Sequence, residues 1–307
     1  MRELRLVLTW VGLGLVLMAG LGGCAPGVPA KPENPAPPVS PALHRGFISM
    51  SPNSTETVFA LGQQSGLVAV GKFDDYPPET EKLPRVGGAI DPDLERITQL
   101  RPGLILTSGA VPKVVQYGAT HEVAVVNVAM DNLDGIAEGI KRIGSLLQCD
   151  AKAEALLQRM TEQRHAVETA VAGQARPKVF LVTGRMSHDL NTLSTVGGPS
   201  FLSEIVTLAG GYNIYADSSQ AYFEASKETV VKEAPAVVLE FHCGETLSDA
   251  EREAYVRDWE VLSTVPAVQE HRVHIITESH AMRPGPRVYE VARLLARLLH
   301  PGVEALQ

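Results

Sequence analysis

NLDGIAEGIKRIGSLLQCDAKAEALLQRMTEQRHAVETAVA, residues 132–172, is the stretch on which the rest of the chain hangs. Leu133, Ile136, Ile140, Ile143 and Leu147 recur at three- and four-residue steps. After a break near Cys149 and Asp150 the spacing resumes with Ala153, Leu156, Leu157, Met160 and Val167. Apolar residues so spaced share one helical face, so the stretch reads as helix in two pieces. On either side, short apolar runs alternate with capped helical patterns, the mark of strand–helix–strand layers. One connection between two such layers predicts a stiff bilobal molecule with a cleft, its parts being residues 45–131, 132–176 and 177–307.

Upstream of that stretch, Gly46-Phe47-Ile48-Ser49-Met50 reads as a buried strand. Asn53-Ser54-Thr55-Glu56 fits a capping box for a helix that stops at Gly62. A second strand, Leu67-Val68-Ala69-Val70, leads into Phe73-Asp74-Asp75-Tyr76-Pro77-Pro78. That loop lies at a strand's carboxyl end, where parallel sheets carry function. Phe73 and Tyr76 are ligand candidates there, the ordinary role for Tyr76 being to fold the loop back on the sheet. Asp91-Pro92-Asp93 supplies a cap, a first-turn proline and carboxylates for a helix ending before Pro102. Leu104-Ile105-Leu106-Thr107 and the segment from Val123 to Val128 are further strands.

Downstream, the run Val179 to Gly184 reads as a strand, followed by a polar loop with Arg185, Met186 and His188. Gly197-Gly198-Pro199-Ser200 opens a helix from Leu202 to Leu208, closed by Gly210-Gly211. The segment from Ser226 to Leu239 then repeats the pattern of Glu95 to Leu106. A glutamate in the first helical turn (Glu95, Glu228) is followed two residues on by a β-branched residue, five further on by proline, and then by a buried strand. Complementing the helix dipole explains a carboxylate at either place. It does not explain a matched pair, which suits docking onto a two-fold partner with basic pockets. A strand from Arg272 to Ile276 and a helix from Val288 to Leu299 complete the second lobe.

The 307 residues are 45% hydrophobic and 20% charged, enough for one large or two medium cores. Twenty-seven basic against 35 acidic residues give a formal charge of -8, with no basic cluster beyond the N-terminus, which argues against nucleic acid as a partner. Arg2 and Arg5 precede the apolar run Leu6 to Leu21 and then Gly22-Gly23-Cys24, the pattern of a secretory signal over residues 1–23 with Cys24 as a lipid-bearing first residue. Residues 24–44 are proline-rich and read as a tether holding the body off a membrane. Cys149 and Cys243, in different parts of the chain, read as isolated thiols, a disulfide being the other option in an exported protein.

Taken together, Ser51-Pro52-Asn53-Ser54-Thr55-Glu56, Asp75-Tyr76-Pro77-Pro78, Val86-Gly87-Gly88, Asp93-Leu94-Glu95-Arg96-Ile97, Leu208-Ala209-Gly210-Gly211-Tyr212-Asn213-Ile214 and Arg283-Pro284-Gly285-Pro286-Arg287 are specific in this order. Through them the chain, from about Arg45 to Pro301, resembles the periplasmic substrate-binding proteins of ABC importers for cobalamin, haem and ferric siderophores. The resemblance implies a class III binding-protein fold, α/β, with two Rossmann-like lobes joined by a single long rigid interdomain helix. It implies a monomer in the cell envelope, lipid-anchored and facing the periplasm or cell exterior. Its partners would be an ABC permease dimer with ATPase subunits, Glu95 and Glu228 engaging permease arginines.

The Asp-Tyr-Pro-Pro loop looks most like the cobalamin-binding members, where aromatic side chains pack on the corrin ring. By position Phe73 and Tyr222 match aromatic pocket residues and Arg283 a polar contact, while Ala89 and Ser108 stand where that subgroup has tryptophans. No resident cofactor or metal site is implied, since the ligand itself brings cobalt or iron. Haem is the competing ligand and would want an axial Tyr76, His188, His242 or His280, of which His280 shares a loop with Arg283. A ferric siderophore would use Arg185 with Arg283 against anionic oxygens. A metal-chelatase-like enzyme on a similar frame is the alternative of another class. No Gly-x-Ser-x-Gly, His-Glu-x-x-His or phosphate-binding loop supports it.

Overall fold

The first lobe is built from β1 (Phe47–Ser49), α1 (Pro52–Ala60), β2 (Leu67–Val70), α2 (Leu94–Leu100), β3 (Leu104–Thr107), α3 (Pro112–His121) and β4 (Ala124–Asn127). The computed structural model describes residues 43–306, so the expected signal, Cys24 and the proline-rich tether as far as residue 42 lie outside the described residues. The four strands pair in parallel in the order β2-β1-β3-β4. Their short, nearly all-apolar sequences follow from burial on both faces. Phe47, Leu104 and Leu106 point into one core and Ile48 and Ile105 into another, as the two-residue period of a strand requires.

The connecting stretch is two helices, α4 (Leu133–Leu146) and α5 (Asp150–Ala170). Gln148, at φ 56, turns the chain between them, and the Cys149 amide caps the Gly144 carbonyl at 2.8 Å. The helices cross where Gly144 meets Ala153. A Cβ on Gly144 would lie 2.5 Å from that of Ala153, so only glycine admits this approach. The long connecting helix is therefore α5 alone, 21 residues and about 30 Å at 1.5 Å per residue. α4 packs on α1 of the first lobe, and α5 on the second.

That second lobe contains β5 (Lys178–Val182), β6 (Gly184–Arg185), β7 (Leu193–Val196), α6 (Phe201–Leu208), β8 (Tyr212–Asn213), β9 (Tyr222–Ala225), α7 (Lys227–Glu233), β10 (Val237–Phe241), α8 (Asp249–Asp258), α9 (Pro266–Gln269), β11 (Val273–Ile276) and α10 (Val288–Leu299). Its parallel sheet runs β8-β5-β10-β11, the first lobe's order with β5, β8, β10 and β11 in place of β1, β2, β3 and β4. The addition is an antiparallel ribbon, β6-β7-β9, where the sequence suggests only a polar loop after Gly184.

Ile136, Ile140 and Ile143 of α4, Leu156 and Met160 of α5 and Leu295 of α10 belong to one core with Leu104 of the first sheet and Leu181 and Leu239 of the second. A core continuous across both lobes resists hinge bending, because opening it would expose apolar surface at about 25 cal/mol per Å². Among the described residues no helix is long and apolar enough to cross a membrane.

Candidate ligand cleft

Parallel strands end their loops on one side, and in this molecule the carboxyl ends of the two sheets are brought together by charge. Glu56 on α1 is 4% exposed and accepts two hydrogen bonds from Arg287, which follows β11, at 2.9 Å from Nε and 2.6 Å from Nη2. Arg283 donates through Nη1 and Nη2 to both oxygens of Asp75, which follows β2, the Nη2–Oδ2 separation being 2.8 Å. Its Nη1 also lies 3.6 Å from Glu56. The guanidinium of Arg287 sits 3.7 Å over the ring of Tyr76. Hydrogen bonds from Arg283 hold Asp75 below the usual carboxylate range. The helix starts at Pro52, so Glu56 is not the third residue of a capping box at Asn53.

Behind this clamp, Asp74 is buried and accepts from Thr55 Oγ1 at 2.6 Å and the Gly71 amide at 3.1 Å. Burial pushes its carboxyl up to about 6, against the pull of those hydrogen bonds.

Phe73 is 65% exposed beside Asp74, with Lys72 Nζ 5.5 Å from its ring, and Tyr222 on β9 is 58% exposed. Tyr76 keeps one ring face on Arg287 and is 40% exposed. The expectation for Arg185 needs correcting. Its side chain is fully buried, donating from Nε to Glu240 at 2.7 Å, from Nη1 to Asp258 at 2.9 Å and from Nη2 to the Tyr255 carbonyl at 3.2 Å. A guanidinium so placed ties β6 to β10 and α8 and is not free for an anionic ligand. Glu240 also accepts from Trp259 Nε1 at 2.8 Å and meets His242 Nε2 at 2.7 Å, which keeps a buried carboxylate satisfied.

His280 is half-buried with Nε2 4.0 Å from Glu290 on α10, and burial followed by the charge of Arg287 pushes its pKa down. His188 meets Asp258 at 3.2 Å. Cys149 and Cys243 are both free thiols, and burial pushes that of Cys243 up to about 11. Among the described residues no group of three His, Cys, Asp or Glu side chains is placed to hold a metal.

Glu95 and Glu228 are each the second residue of a seven-residue helix, α2 and α7. Both helices bury their fourth residue, Ile97 or Val230, whose carbonyl receives the amide of a left-handed cap, Arg101 at φ 48 or Ala234 at φ 49. Proline follows each cap because it cannot continue the helix. The two glutamates are exposed at matched places in two like lobes.

Over residues 48–279 the chain matches the family described as "Periplasmic binding protein". It belongs to the periplasmic binding protein family. A vitamin B12-binding protein of Pectobacterium atrosepticum is 28% identical over 265 residues, 84% of this chain and 89% of that one. A cobalamin-binding protein of Halobacterium salinarum is 26% identical over 261 residues, 82% of this chain and 69% of the other. Among solved structures, the periplasmic vitamin B12 binding protein BtuF of Vibrio cholerae aligns with TM-score 0.67 at 25% identity, covering 84% of this chain and 97% of that one. The periplasmic haem-binding protein HutB of the same species aligns with TM-score 0.74 at 23% identity over 84% and 100% of the two chains, a likeness of fold.

In this periplasmic binding protein the clamp residues Glu56 and Arg287 escape a reading from sequence, although each lies inside a recognisable motif. The pattern at Glu56 suggests a helix cap and that at Arg287 a helix start, and nothing local joins them. Ile90, 89% exposed, and Met186, 67% exposed, are further large apolar side chains at loops of the two lobes that periodicity does not single out.

Proposed function

We propose that the protein is the substrate-binding component of an ABC importer, capturing a corrinoid between its lobes and delivering it to a membrane permease without chemical change. The observation that carries this reading is the pair of exposed aromatic rings, Phe73 after β2 and Tyr222 on β9. Large exposed rings gain about 1.5–3 kcal/mol each when a flat apolar ligand covers them. The names of the relatives, vitamin B12-binding and cobalamin-binding protein, support the same ligand class. Haem stands second. Of the side chains considered for its iron, His242 meets Glu240 through Nε2 and His188 meets Asp258 through Nδ1, while Tyr76 carries Arg287 on its ring face and His280 Nε2 lies 4.0 Å from Glu290.

In this reading Glu95 and Glu228 dock onto basic pockets of a permease dimer served by ATPase subunits. Cys24 carries a lipid that anchors the monomer at the cell envelope, its body facing the periplasm or cell exterior. Tyr76 and Arg283 border the ligand while keeping their clamp contacts, and His280 lies behind them. Calorimetry and visible spectra of the purified chain with cyanocobalamin, a cobinamide, haemin and ferric siderophores test the proposal. One-to-one corrinoid binding without chemical change is expected; a shifted Soret band with haemin alone would overturn it in favour of haem.

A further inference from the structure

We infer that Asp75 sets the charge selectivity of the cleft: paired with Arg283 across the two lobes, it cancels the cation that an acidic ligand would need, so the site accepts corrinoids whose peripheral acids are amidated and rejects those with free carboxylates. This rests on the corrinoid reading and adds to it which corrinoids bind.

The two arginines of the clamp are answered: Arg287 is held by Glu56, and Arg283 by Asp75 with Glu56 at 3.6 Å. Lys72, its side chain 58% exposed, lies 4.0 Å from the likewise exposed Asp91, a screened surface pair outside the clamp. Arg185, the remaining candidate for an anion, is buried against Glu240 and Asp258. Within the Arg283–Asp75 pair the two partners are unequally presented. The Asp75 side chain is 56% exposed and that of Arg283 only 18%. A ligand entering between the lobes therefore meets the acid of the pair rather than the base. An added carboxylate on the ligand would face Asp75 as a like charge, while the amide of a neutral corrinoid can donate to it. A like-charge contact between ligand and Asp75 disfavours the acid, and the discrimination is readable as a ratio of dissociation constants.

The test compares cyanocobalamin with its monocarboxylic acid, made by hydrolysing one peripheral propionamide, on the full chain at neutral pH. The unaltered protein is expected to bind the amide at least about tenfold more tightly than the acid. In Asp75→Asn the freed Arg283 guanidinium becomes a carboxylate donor, and the ratio should fall to about one or invert. In Arg283→Gln the acid of the pair remains, so the preference for the amide should persist. Equal binding of both compounds by the unaltered chain overturns the inference and leaves the corrinoid reading standing. A purely structural clamp predicts that both substitutions weaken both ligands alike with the ratio unchanged, which also overturns it. Failure of both corrinoids to bind the unaltered chain removes the corrinoid reading and the inference together.

Discussion

Arg287 and Glu56, 231 positions apart in the chain, meet as a two-pronged ion pair with nitrogen–oxygen separations of 2.9 and 2.6 Å. One partner follows the last strand of the second lobe and the other sits on the first helix of the first. With Arg283 and Asp75 beside it, this pair fixes how the carboxyl ends of the two sheets face each other. The arginine is also stacked on Tyr76, so its geometry is defined on two sides.

Removing one partner of a buried ion pair strands the other. Arg287→Ala is expected to lower stability by about 3 kcal/mol, the low end for such pairs because Arg283 still lies 3.6 Å from Glu56. Arg287→Lys should recover only part of this, since an ammonium cannot fork onto both oxygens or stack on Tyr76 as a planar group. Urea unfolding of the three proteins measures both effects.

Asp74 adds a pH dependence of a particular sign. Its folded pKa, raised to about 6 from the ordinary 3.8, means that the folded state binds the proton more tightly than the unfolded chain. Stability therefore falls as pH rises from about 4 to 6, by an amount on the order of 2–3 kcal/mol, and this contribution then stays flat. Asp74→Asn, which keeps an oxygen acceptor for Thr55 and Gly71, should flatten the profile over that window.

His242 works in the opposite pH range. Contact with Glu240, then Glu245, raises its folded pKa above the ordinary 6.5. Its contribution is fully present below pH 6.5 and is lost as pH climbs through the folded value. His242→Gln should remove that alkaline slope while leaving the acidic one that Asp74 governs. Thermal melts across the pH range separate the two.

At the crossing of α4 and α5, Gly144→Ala places a Cβ 2.5 Å from that of Ala153. Neither methyl can rotate away, so the helices must part, at about 1–3 kcal/mol. Ala153→Gly in the same chain should return part of the loss, and the non-additivity of the two changes in denaturant midpoint measures the contact.

Charge reversal at both Glu95 and Glu228 should abolish uptake by cells or proteoliposomes carrying the permease, with corrinoid affinity unchanged within about twofold. Loss of affinity together with uptake would show that the two helices serve the cleft rather than the docking face.

How much of this was readable beforehand depended on the range of the interaction concerned. The terminal helix lies over Val288–Leu299, as its apolar spacing predicts, because that spacing is decided within a few residues. Glu95 and Glu228 could be matched because each sits in a local frame of a buried β-branched residue, a cap and a proline. The cap of α2 shows the limit even there: it is Asp93, which accepts from the Arg96 amide at 2.9 Å, and not Asp91 two residues before it.

By itself the sequence determined the alternation of strands and helices, the two-piece connection with its break at Cys149, and the repeat that pairs two exposed glutamates. All of these follow from periodicities and caps acting over one or two turns of chain. Only the tertiary structure decided that Glu56 meets Arg287, that Asp75 answers Arg283, and that Arg185 is withdrawn from the cleft by Glu240 and Asp258, 55 and 73 positions away. An arginine and a carboxylate look the same in a sequence whether they face solvent, a ligand or each other. Which of these they do is settled by the desolvation of charge when two sheets close on one core, and that depends on distances no local pattern contains.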